Sequence, residues 1–138
     1  MAYQSEIEKL ERRYQENPDQ WFAALADQYR KSGSMELALQ VVRAGLEKRP
    51  NYVSGHIVLG RCLLDEKKDA EASAVFRRVL ELDAENIMAL KTLSEIAERT
   101  ADADGQRGWL SRLLEIDPMN DEAREALAKL PAPPQAEP

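Results

Sequence analysis

Apolar residues in this chain recur three and four positions apart, the interval that lines them up on one helix face, and polar residues fill most of the remaining positions. The pattern stops and restarts at short clusters of Pro, Gly, Asn and Asp. It predicts helices over about Tyr3–Glu16, Pro18–Ser32, Met35–Lys48, Val53–Glu66, Asp69–Leu82, Ile87–Arg99, Asp104–Ile116 and Asp121–Leu130, and no strand. The central pair carries His56, Leu59, Gly60 and Leu63 on its first helix and Ala72 with Phe76 on its second. The same slots recur at a shift of 34: Phe22, Leu25, Ala26, Tyr29, Ala38, Val42 and Pro50 before it, and Leu90, Leu93, Ser94, Ala97, Gln106, Leu110 and Pro118 after it.

A 34-residue period with this order of bulky, Leu, small, bulky, then small and bulky resembles the tetratricopeptide repeat family, over about Asp19–Asn120. The resemblance implies an all-α chain of about eight helices: an α-solenoid of three helix–turn–helix repeats at 19–52, 53–86 and 87–120, within 18–120. A capping helix over 1–17 precedes them and another over 121–130 follows. The stripe Tyr3, Ile7, Leu10, Tyr14 on the first helix reads as a cover for the first repeat, or as a seam for a second copy. At under two heptads it is too short to stand as a coiled coil alone. Residues 131–138 are rich in proline, which excludes a helix and predicts an extended, disordered tail. Such a tail is typical of a linker, so the chain reads equally as a whole protein or as the N-terminal piece of a longer one.

Small residues mark close helix crossings, at Ala26, Gly60 and Ser94 and at Ala38 and Ala72, with Gln106 as the exception. Leu25, Leu59 and Leu93, and Leu46, Leu80 and Leu114, fill the spaces between. Asn17, Asn86 and Asn120 are placed to cap helices, and Gly33 to end one. Lys67-Lys68 stands where the first repeat has that glycine. The third repeat is the least regular: Gly105 and Gly108 each cost up to about 1 kcal/mol relative to alanine, so its second helix is expected to fray or shift.

Composition narrows the function. The formal net charge is −6, and charged residues make up 32% of the chain. An acidic domain repels phosphate backbones, which speaks against nucleic acid. No apolar run approaches the roughly 18 residues of a membrane helix, and the first residues hold no signal-peptide run. Cys62 is the one cysteine and forms no internal disulfide. A cytoplasmic protein is expected. His56 takes the bulky slot of Phe22 and Leu90 and reads as a packing residue, and Cys62 as a small hydrophobe. Neither has a second His or Cys with which to build a metal site. With one histidine and no phosphate loop, no enzyme, cofactor or metal is expected. Asp102 with Asp104, and Asp121 with Glu122, read as turn and helix-start residues.

In the family resembled, the first helices of the repeats line a concave groove that binds ligand. The matching positions are Gln20, Ala23, Asp27 and Arg30; Ser54, Ile57, Val58, Arg61 and Leu64; and Met88, Lys91, Thr92, Glu95 and Glu98. The expected partner-binding set is Asp27, Arg30, Ile57, Arg61, Leu64, Met88, Lys91 and Glu95, an apolar middle with charged flanks that suits a partner's helix or peptide. One subgroup grips chaperone C-terminal carboxylates with a lysine–asparagine clamp. Its positions match Ala23, Asp27, Val58, Met88 and Thr92 here, and none is the required Lys, Asn or Arg. Two readings follow: an interaction module for another protein, or a self-associating unit that forms a homo-oligomer.

Overall fold

A computed structural model describes residues 2–132, with side chains from Ser5 onward. The Tyr3 side chain and tail residues 133–138 lie outside the described residues. The described residues form eight helices and no strand: α1 (Ala2–Glu16), α2 (Pro18–Lys31), α3 (Met35–Lys48), α4 (Val53–Asp65), α5 (Asp69–Leu82), α6 (Ile87–Arg99), α7 (Ala103–Ile116) and α8 (Asp121–Ala128). The chain divides into two compact units, one ending at Leu82 and the other beginning at Asp83.

The first unit holds α1 to α5. Helices α2 and α3 pair, as do α4 and α5, while α1 lies on α2 and α4 packs on both α2 and α3. Phe22, Leu25, Ala26, Ala38, Val42 and Cys62 form the buried centre, with Leu46, Tyr52 and Leu59 partly buried against it. Phe22 is seated by glycine. A Cβ on Gly45 would lie 2.1 Å from the Phe22 ring, and one on Gly55 would lie 3.0 Å from it. Tyr52 meets the same ring at a centroid distance of 5.4 Å and a tilt of 57°. In the second hairpin a Cβ on Gly60 would lie 2.7 Å from the Phe76 ring. Close approach, rather than turn geometry, is what requires these helical glycines. Helix α1 is held by buried Leu10, by Tyr29, whose hydroxyl donates to Glu11 Oε2 at 2.6 Å, and by Arg13 over the Trp21 ring at 4.9 Å.

The second unit holds α6 to α8, with α7 packed on both α6 and α8. Its buried side chains include Leu90, Leu93, Ile96, Leu110, Leu113 and Ala123. The expected fraying of the third repeat's second helix is not found: α7 has 14 residues, as α3 and α5 do. Asp102 caps it, accepting from the Gly105 backbone N–H at 2.9 Å, and this offsets the glycines. Helix α8 ends at Ala128, so Leu130, expected inside it, lies beyond its end. Arg107 Nη2 donates to the Pro131 carbonyl at 2.6 Å, which holds the first residue of the tail.

One turn recurs in all three hairpins. Ser34, Lys68 and Asp102 donate their backbone N–H to the carbonyls of Tyr29, Leu63 and Ala97 at 2.8, 2.9 and 2.8 Å. The residues before them, Gly33, Lys67 and Ala101, have φ of 87°, 61° and 59°. This is the Schellman arrangement, with its left-handed residue. Lys67 therefore serves through its backbone, in a conformation that costs roughly 1–2 kcal/mol for a residue with a Cβ. Asn86 and Asn120 cap as their positions predict, accepting from Ala89 and Ala123 N–H groups at 2.9 Å. Asn17 makes no side-chain cap bond; its side-chain amide donates to Gln20 Oε1 at 3.0 Å.

Candidate partner-binding surface

The sequence-predicted residues of the first unit lie on α2 and α4. Asp27 and Arg30 are not free groove residues. Arg30 Nε bonds Asp27 Oδ1 at 3.0 Å and its Nη1 bonds Asp65 Oδ2 at 2.9 Å, while Lys31 Nζ lies 3.3 Å from Asp27 Oδ2. The Arg30 and Asp27 side chains are 17% and 18% exposed, while Asp65 and Lys31 stay open to water, and the Arg30 bonds tie the end of α2 to the end of α4. Burial works against the Arg30 charge, but the bonds to Asp65 and Asp27 outweigh it and raise its pKa.

Ile57, Arg61 and Leu64 are four and three residues apart and share one face of α4. All three are half-buried, and Arg61 has no ion-pair partner among the described residues. Two matching positions leave the surface: Ala23 and Val58 are each 6% exposed and belong to the core cluster. The small residue on α2 and the branched one on α4 are drawn inward where those helices meet.

On α6, Met88 is half-buried and receives a contact from Thr92 Oγ1 to its Sδ at 3.7 Å. Lys91 is exposed and reaches Glu122 Oε2 of α8 at 3.4 Å, and Glu95 is exposed. Lys91 and Glu95 border a depression shared by α6, α7 and α8, floored by Leu110 and Leu113. A second depression continues it, bordered by Glu98, Gln106, Glu122 and Glu125. Sequence reasoning missed the α7 and α8 contributions. Their one signal was Gln106, the polar residue in a slot that is alanine in the other two repeats.

The reactive residue types are accounted for by packing. His56 is half-buried rather than fully packed like Phe22 and Leu90, and a ring nitrogen, Nε2, lies 2.7 Å from the Pro50 carbonyl oxygen. Cys62 is fully buried, and burial pushes its thiol up to about 11, which leaves it protonated and inert at neutral pH. Burial, and then the bond to Glu11, push the Tyr29 phenol up to about 12. Among the described residues no three His, Cys, Asp or Glu side chains could together hold a metal ion. None of the described helices is long and apolar enough to cross a membrane.

No family model matches the chain. Its repeats nevertheless superpose on solved tetratricopeptide structures. MamA matches with a TM-score of 0.79 at 13% identity, over 91% of this chain and 74% of that one. TTC0263, a thermophilic TPR protein of Thermus thermophilus, matches at 0.73 and 19% identity, over 92% and 72%. The first TPR of Spaghetti (RPAP3), bound to the HSP90 peptide SRMEEVD, matches at 0.71 and 19% identity, over 80% and 88%. The chain thus has the tetratricopeptide-repeat fold, of the all-α, α-solenoid class. In sequence it is similar to the human N-alpha-acetyltransferase 16, NatA auxiliary subunit, with 34% identity over 89 residues, 62% of this chain. The chain spans about a tenth of the length of that relative, 10%.

Proposed function

We propose that this chain is a protein–protein interaction module that takes a helix or extended peptide of a partner on the exposed faces of its repeat helices, and that it acts by binding rather than catalysis. The observation that carries this is the α4 row: an arginine without an ion-pair partner among the described residues, flanked on one helix face by the half-buried Ile57 and Leu64. Apolar side chains around an arginine are the composition of interface hot spots. The fold supports the same reading, since one solved structure that it resembles carries a bound peptide. That peptide, SRMEEVD, has three acidic residues. This chain lacks the basic clamp positions that suit a C-terminal carboxylate, so a different ligand is expected. Within the first unit, Asp27 and Arg30 shape this surface by holding α2 to α4. A cytoplasmic setting fits a module with no transmembrane-length helix among the described residues.

The test is Arg61→Glu, because the Arg61 side chain has no ion-pair partner among the described residues, compared with Ile57→Ser and Leu64→Ser. The partner captured by the unaltered chain should be lost by all three, with circular dichroism unchanged for Arg61→Glu. Capture retained by folded Arg61→Glu and Leu64→Ser would place the partner elsewhere. Sedimentation of the pure chain in the same series reports whether the occupant is a second copy.

A further inference from the structure

We propose that the cleft between α6, α7 and α8 receives a long basic side chain, arginine or lysine, presented by a partner's peptide. This rests on the interaction-module reading and gives its ligand a chemistry. The cleft lies wholly within the second unit. Its rim carries Glu95 and Glu98 from α6 and Glu122 and Glu125 from α8. The cations that face it are Lys91 at one end and Lys129 at the other, two ammonium groups against four carboxylates. Among the described residues Lys91 pairs with Glu122, at 3.4 Å and exposed.

An acidic rim alone would merely be solvated. Gln106 is the independent observation that points to a ligand. It is 6% exposed, it borders the cleft, and its side-chain amide has no hydrogen-bond partner among the described residues. Its amide is not sealed from solvent but opens onto the cleft, where its carbonyl oxygen accepts from a guanidinium or ammonium. The floor is made of Leu110 and Leu113. A side chain with an aliphatic stem and a cationic head matches both features, stem on the leucines and head among the carboxylates. A metal ion does not fit, because no three acidic groups among the described residues converge on a point. An acidic peptide would meet like charge.

The experiment is a titration of the isotopically labelled chain with a capped Gly-Gly-Arg-Gly-Gly peptide, followed by amide chemical shifts. Norleucine and glutamate replace the arginine in two control peptides. Saturable shifts at Glu98, Gln106 and Ala126 are expected, with the norleucine peptide about tenfold weaker and the glutamate peptide weaker still. Glu98→Gln and Glu122→Gln, both at exposed positions, should each weaken the arginine peptide about fivefold and leave the norleucine peptide unmoved. Equal binding of the arginine and norleucine peptides, shifts that map outside the cleft, or no saturation in the millimolar range would each overturn the proposal. Arg61→Glu leaves the arginine-peptide titration unchanged if the cleft acts on its own. Failure here therefore leaves the α4 surface standing, and failure of the α4 variants leaves the cleft standing.

Discussion

The first two repeats both bury a phenylalanine against a helical glycine, and they place the pair on opposite helices. In the first, Phe22 comes from α2 and the notch is Gly45 of α3, with Gly55 of α4 beyond it. In the second, the ring is Phe76 of α5 and the notch is Gly60 of α4. At a shift of 34 the slots of Phe22 and Gly45 hold His56 and Val79, then Leu90 and Leu113. The slots of Gly60 and Phe76 hold Ala26 and Val42 in the first repeat, and Ser94 and Leu110 in the third. Where one side grows, the other shrinks. From the first repeat to the third the glycine slot fills as the ring slot shrinks from Phe22 to Leu90, so bulk is exchanged between facing helices rather than fixed at either slot, as close packing demands.

The sharpest way to break this comparison is Gly45→Ala. Its methyl would lie 2.1 Å from a fully buried ring, so a loss of about 2–3 kcal/mol is expected despite the ~1 kcal/mol that alanine adds to a helix. The loss is read from urea unfolding, and Phe22→Leu, the residue found at Leu90, should recover part of it. Additive losses in that double-mutant cycle would show that the two slots do not share one volume. Gly60→Ala comes next, at about 1–2 kcal/mol, because its methyl would be 2.7 Å from Phe76 and has slightly more room. The smallest effect has the opposite sign. Gly108 of α7 has nothing within 4 Å of an added Cβ, so Gly108→Ala should raise stability by up to about 1 kcal/mol. A destabilised Gly108→Ala would mean that the third repeat also holds a notch.

The helices themselves were legible. Asp69–Leu82 and Ile87–Arg99 are the observed bounds of α5 and α6, because periodicity and the flanking turn residues are local signals. The turns were half legible: glycine announces the left-handed residue at Gly33, while Lys67 and Ala101 adopt it under the pull of the same hydrogen bonds. The site was least legible. Arg30 and Asp65 are 35 residues apart, and nothing along the chain marks them as bonded. Val58 has the helical phase of a groove residue, but the meeting of α2 and α4 buries it.

What the sequence determined alone was the period, the helices and the alternation of large and small, since these depend on intervals of three and four residues and on a repeat of 34. Only the tertiary structure decided which glycine faces which ring, which charges are spent on each other, and where a polar side chain is left without a partner. Those outcomes depend on contacts between helices, and a contact is fixed by how two surfaces meet rather than by either surface alone.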